Sequence, residues 1–268
     1  MMASTMLSLT STGAMVRRFA AARDVAVEAY TLRGPIVYAL ERAARHGAHV
    51  TVRLEAHPNR DRKGTLRAYN AKVARELRAA GAAARLQDRV HAKAVVVDGT
   101  LYLDERNWNR DDVVLRDDDP ADWPAIPAMK DAALAEEARL LARARGNDGV
   151  IVESESFGTG NPVYSALKAL GSAGAAPRLL VTQRDLHASR RERAALEKLA
   201  NNGVCVRVCT DSMKAAVAGD DVWLGSANAT YCGAGFNMSD WGLCTADRAI
   251  VDKVRARLES EWSAAKNL

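Results

Sequence analysis

Aromatic residues make up only 5% of this 268-residue chain, and it has just four cysteines. Cys205, Cys209, Cys232 and Cys244 all lie in the second half. None forms a C-x-x-C pair, so buried thiols are expected rather than zinc or disulfide chemistry. Cys205 and Cys209, in "GVCVRVCTD", are spaced to share one face of a strand. No segment approaches the ~18 consecutive apolar residues of a membrane span. The opening "MMASTMLSLTSTGAMVRRF" has no basic stretch ahead of its weakly apolar one, which argues against a signal peptide and predicts a cytoplasmic protein. Charge of one sign is also modest. The formal net charge of +5 favours anionic partners such as phosphates, nucleic acid or lipid headgroups, but "DDDPADW" (117–123) shows that the basic character is not uniform.

What the chain does have is an internal repeat. "DVAVEAYTLRGPIVYALERAARHGAHVTVRLEA" and "DGVIVESESFGTGNPVYSALKALGSAGAAPRLLVTQRD" share one plan: strand, glycine-bearing turn, amphipathic helix, β-branched strand. Glu28 and Glu153 occupy matching places in them. Helical stretches follow at 65–80 and 188–201, then two strand–turn–strand segments, then a further strand and helix in each half (128–145 and 249–264). Alternating strands and helices predict an α/β fold of two repeated halves packed as a pseudo-twofold dimer, with mixed sheets flanked by helices. The acidic, proline-bearing stretch 117–127 reads as the linker, giving halves at 1–147 and 148–268.

The repeat also doubles a chemical motif. "HAKAVVVDG" (91–99) and "SMKAAVAGD" (212–220) stand at corresponding places. In a strand, positions two apart project to one face, so His91 and Lys93 point the same way. An unperturbed imidazole titrates near pH 6.5 and is a competent nucleophile at neutral pH. An ammonium beside it neutralises phosphate oxygens as charge develops. The second copy keeps Lys214 but has Ser212 for the histidine and Gly219 for the aspartate. The departures are complementary. "GSAN" follows the second copy intact (Gly225, Ser226, Asn228), whereas the first reads Asp104, Glu105, Arg106 and Asn107.

His91, Lys93 and Asp98 fit H-x-K-x4-D, and with the G-S-x-N element the chain resembles the phospholipase D superfamily over nearly its whole length. The resemblance implies that two motif units form one phosphodiesterase site. One histidine attacks phosphorus to give a phosphohistidine, the other protonates the leaving oxygen, and no metal or other cofactor is needed. Carried over by motif position, His91 is the nucleophile, Lys93 and Lys214 bind phosphate, and Asp98 supports the first half. Asn107, Ser226, Asn228 and Ser212 are substrate-binding, and Glu105 is a candidate substitute acid. The expected substrate is a nucleic acid or a phospholipid headgroup, cleaved or transferred. The alternative is an impaired pseudoenzyme that binds phosphate or nucleic acid, because Ser212 is a poor general acid. A monomer or a homodimer fits either reading.

Other residues carry weaker signals. His46, His49 and His57 suit surface or structural roles, and His187 is a second candidate acid. "HPNRDRKGTLR" (57–67) is a basic loop suited to phosphates or to solvent. Trp108 and Trp223 adjoin motif residues and suit base stacking or, for Trp223 above all, core packing.

Overall fold

The computed structural model describes residues 7–58, 61, 63–109, 112–119, 129–146, 148–182, 189–233 and 235–268. His187, Arg60 and Arg62 lie outside them. The chain is α/β, with two mixed seven-stranded sheets.

The first sheet contains β1 (Ser8–Thr10), β2 (Asp24–Ala29), β3 (His49–Glu55), β4 (Ala83–Gln87), β5 (Lys93–Val97), β6 (Thr100–Asp104) and β7 (Val114–Asp117), in the order β1-β7-β6-β5-β2-β3-β4. Its helices are α1 (Thr12–Arg18), α2 (Pro35–Arg45) and α3 (Thr65–Ala79). β2, β3 and β4 run parallel, as strands linked through helices do, while β5, β6 and β7 form antiparallel hairpins. β2 alternates Val25, Val27 and Ala29 inward, and these pack with Ile36, Leu40, Val73 and Leu77 from the helices. Burial of one apolar stripe per helix is what fixes α2 and α3 to the sheet.

The second sheet contains β8 (Ile151–Ser154), β9 (Arg178–Thr182), β10 (Cys205–Cys209), β11 (Ala215–Ala218), β12 (Asp221–Gly225), β13 (Gly242–Thr245) and β14 (Lys266–Asn267), in the order β13-β12-β11-β8-β9-β10-β14. Apart from β1 and β14, which extend opposite edges, it repeats the first sheet strand for strand. Register agrees as well: Glu28 faces Ala94 and Glu153 faces Ala215, each the residue after a motif lysine.

The helices of the second unit are α4 (Lys130–Arg143), α5 (Pro162–Ser172), α6 (Arg190–Ala200) and α7 (Arg248–Ala264). The compact units do not divide near residue 147. α4 was expected to close the first half, but Ala133, Leu134, Leu140 and Leu141 are buried in the second core with Val152, Leu167 and Trp223. It therefore belongs to the second unit. The units comprise 1–126 with 238–240, and 127–237 with 241–268.

Of the thiols only Cys209 is fully buried; Cys205 is exposed, and all four are free. Gly171 of α5 and Gly203 after α6 touch backbone to backbone, and a Cβ at 171 would run into the Asn202 carbonyl. Gly171→Ala is therefore expected to lower stability by ~1–3 kcal/mol through overpacking, read by denaturant unfolding.

Candidate active site

His91 sits just ahead of β5 rather than inside it, and its N–H donates to the Ser239 carbonyl at 3.1 Å. A bridge between Val90 and Ser239 continues that contact. Residues 238–240 thus belong to the first unit despite their place in the second repeat. They bring Asp240, which lies outside both copies of the motif. Its Oδ1 lies 2.6 Å from His91 Nδ1, and the carboxylate is only 1% exposed. A buried carboxylate on Nδ1 holds the proton there and leaves Nε2 as the basic nitrogen.

Lys93 completes the arrangement. Its ammonium donates to the His91 carbonyl at 2.5 Å and stands 3.1 and 3.2 Å from the two ring nitrogens. The lysine is 1% exposed, so the charge is presented in a largely dry setting. The Tyr30 ring meets the imidazole edge to face, with centroids 5.1 Å apart.

A polar framework fixes these groups from behind. Buried Asn70 donates to the carbonyls of Tyr30 and Glu55 and accepts from the Thr31 hydroxyl. Glu55 accepts the Val90 N–H at 2.6 Å and the His57 N–H at 2.7 Å. Burial nevertheless raises its pKa, the two N–H donors only partly opposing that. Glu28 accepts from the Ser239 hydroxyl and so steadies the segment that carries Asp240.

Asp98 lies at the other end of β5, about 17 Å of strand away from Lys93. It adopts φ +46 beside Gly99 at φ +85, a tight Asp-Gly hairpin. Its Oδ1 accepts the N–H groups of Arg23 and Asp24, both at 2.9 Å. Those bonds hold its pKa below the usual carboxylate value. This motif residue ties the hairpin to the start of β2.

The second motif repeats the lysine geometry. Lys214, 2% exposed, donates to the Ser212 carbonyl at 3.1 Å and lies 3.4 Å from the Glu155 carboxylate. Ser212 N–H donates to Asp211, which Arg257 grips at 3.0 and 2.6 Å. Glu153 accepts the Met213 N–H at 2.9 Å. At the missing aspartate, Gly219 has φ +56, and its N–H bonds the Asp148 carbonyl. A Cβ there would point at the Asp148 carboxylate from 3.6 Å. An aspartate at 219 would fit without a clash but would set two carboxylates together, at an electrostatic cost. Asp220 does not replace it, being 91% exposed and paired with Arg248.

Ser226 is fully buried, and its hydroxyl accepts the Trp241 N–H at 3.0 Å. Asn228 Oδ1 is buried with no hydrogen-bond partner among the described residues, and so is Asn107 Oδ1. Glu105 is 0% exposed, accepts the Val113 N–H, and pairs with Arg106 at 3.4 Å. With Asp104 and Asp112 it forms a buried carboxylate cluster of metal-ligand spacing. Arg106 supplies positive charge there, with Nε 2.5 Å from Asp112. Burial, with Glu105 and Asp112 alongside, pushes the Asp104 pKa well up.

Trp108 and Trp223 are both buried, as core residues would be. His46 is exposed against the Arg42 carbonyl, and His49 and His57 face Asp24 and Asp88 on the surface. No helix among the described residues is long and apolar enough to cross a membrane.

No family model matches the sequence, and no curated protein matches it by sequence. Solved structures do match. The phosphatidylserine synthase of Haemophilus influenzae Rd KW20 aligns over 98% of this chain and 87% of its own, with a TM-score of 0.67 at 10% identity. The polyphosphate kinase of Porphyromonas gingivalis aligns over 94% of this chain, with a TM-score of 0.63 at 15% identity. This chain spans 46% of that kinase. Nuc of Salmonella typhimurium, described as a phospholipase D family member, aligns over 53% of this chain and 95% of its own, with a TM-score of 0.46 at 16% identity.

Proposed function

We propose that this chain, which has the fold of the phospholipase D superfamily, is a phosphodiesterase with His91 as its nucleophile. The observation that carries the reading is the buried Asp240 carboxylate on His91 Nδ1, with the Lys93 ammonium beside the ring. A surface histidine needs neither. Nδ1–H donates to the carboxylate, so Nε2 presents its lone pair to phosphorus. Attack forms an Nε2–P bond and breaks the bond from phosphorus to the departing oxygen, which leaves with its electron pair. Asp240 stabilises the imidazolium character that develops, and Lys93 the charge on the phosphoryl oxygens. Water, or an alcohol in a transfer, then attacks phosphorus, forming an O–P bond and breaking the Nε2–P bond; its proton passes to solvent and Nε2 regains its lone pair.

Lys214, Asn228 and Asn107 are proposed phosphate ligands, and buried Ser226 holds the loop that carries Asn228. Asp98 is a positioning residue, acting through the hairpin and β2. Ser212 is a weak acid, and a general acid is typically worth ~10²–10⁴ in rate. Diesters with good leaving groups are therefore the favoured substrates. Glu105 is less suited to replace that acid than its position in the motif implies, because its carboxylate already serves Val113 and Arg106.

The direct test is to trap the intermediate. Acid-quenching the chain with a ³²P-labelled diester is expected to leave a phosphoramidate, labile to acid on warming and stable to alkali, on the peptide containing His91. The His91→Ala variant should carry none. Phosphate binding with no labelled enzyme and no turnover would point instead to a phosphate-binding pseudoenzyme.

A further inference from the structure

Two large aromatic side chains in the second unit are left in water. Tyr231 is 53% exposed and Phe236 60%. Their rings meet edge to face, with centroids 5.5 Å apart. An exposed aromatic pair gains free energy by folding down onto a core, so something has to hold it out. The surrounding loop does so. The Lys130 ammonium, itself 7% exposed, donates to the Thr230 hydroxyl at 2.6 Å and the Tyr231 carbonyl at 3.0 Å. Gly160, at φ +78, makes room for the tyrosine ring: a Cβ there would lie 2.8 Å from Tyr231 Cδ2. Gly233 lies against the same ring, where a Cβ would meet the Tyr231 hydroxyl. The Phe236 N–H closes a turn on the Gly233 carbonyl at 2.9 Å, and Asn237 accepts the Asp131 N–H at 3.0 Å. The rings are held in place before any ligand arrives, which lowers the ordering cost of binding.

The same loop begins with the G-S-x-N element. Tyr231 is three residues beyond Asn228, so their Cα atoms are at most about 10 Å apart. Asn228, the proposed phosphate ligand of this element, would reach a phosphate through its side-chain NH₂, the donor end of the amide. A proposed phosphate ligand and a fixed aromatic pair thus sit on one short, braced segment. We propose that Tyr231 and Phe236 form a base-stacking subsite, and that the substrate is single-stranded nucleic acid. The substrate assignment rests on the phosphodiesterase reading; the binding site does not.

The chemistry around the pair favours a base over a lipid surface. The described residues Thr230, Gly233, Gly235 and Asn237 of the loop are small or polar and offer no broad aliphatic face. Anchoring in a bilayer needs a broad apolar face, commonly that of an amphipathic helix, whereas stacking needs only ring faces. The net charge of +5 suits a polyanion.

The experiment is fluorescence anisotropy with a labelled oligothymidylate dodecamer and an abasic strand of the same length, which keeps the phosphates and lacks the bases. The wild-type chain is expected to bind the base-bearing strand about five- to hundred-fold more tightly. Tyr231→Ala with Phe236→Ala should erase that preference while abasic binding and the thermal melt stay unchanged. Tyr231→Phe, which keeps the ring, should retain it. Equal binding of both strands by the wild type overturns the proposal, as does a double variant that keeps the preference. Loss of adsorption to phosphatidylglycerol vesicles, with the oligonucleotide preference intact, also overturns it and assigns the rings to a lipid surface. Labelling of His91 without a base preference would sink the subsite alone. A base preference without a labelled histidine would sink the proposed reaction alone.

Discussion

Asp240→Asn is expected to lower turnover of bis(p-nitrophenyl) phosphate, measured in EDTA, by about 10²–10⁴-fold. The acceptor on Nδ1 decides which imidazole nitrogen carries the proton. Asp240 has only acceptor oxygens when ionised, so Nδ1 must donate to it and Nε2 stays basic. An asparagine can turn its NH₂ toward Nδ1, which stabilises the opposite tautomer and ties up the lone pair needed for attack. The loss should fall on kcat rather than KM, since the phosphate ligands are unchanged. Nitrophenolate departs without protonation, so the absence of a second histidine cannot mask activity or the effect of the substitution. His91→Ala sets the floor and should show no turnover above background. An Asp240→Asn variant within a few-fold of wild type would remove the reason for assigning His91 as the nucleophile. Unchanged circular dichroism in the variant separates this outcome from unfolding.

The reach of the sequence follows from how local each signal is. His91 and Lys93 were legible because spacing along an extended chain sets the side on which a residue projects. Glu28 and Glu153 were legible because repeated strands keep register, and both face the residue after a motif lysine. Asp240 was not, because its contact with His91 spans 149 residues and belongs to no periodic pattern. In the sequence it reads as the first residue of a strand, whereas the strand begins two residues later at Gly242. α4 shows a different limit. Its apolar stripe announces an amphipathic helix but does not say which sheet it covers, and the second core claims it. At Gly219 the motif comparison registers a missing aspartate. The structure adds that Asp148 already brings a carboxylate to that turn, so a second one there would meet like charge.

α4 also carries a buried carboxylate with a large expected effect on stability. Glu137 is 2% exposed, and burial alone lifts its pKa to about 8. Cys244 shares this environment: burial first, then Glu136 among the nearby charges, pushes its thiol up to about 12. The folded protein therefore holds the Glu137 proton more tightly than the unfolded chain, where a glutamate titrates near its ordinary value. Below that value both states are protonated, and the group costs nothing. As pH rises toward 8 the unfolded state gains the favourable ionisation that the folded state lacks, and stability falls. Above 8 both are ionised and the loss is complete. Linkage puts that loss at about 5 kcal/mol at most, and about 3 kcal/mol at pH 7. Glu137→Gln keeps the shape and removes the titration. Its melting temperature should match wild type near pH 4 and exceed it increasingly up to pH 8, by about 2–4 °C per kcal/mol for a domain of this size. A difference between the two proteins that stays constant across that range would mean that Glu137 has found a partner or water in the folded state.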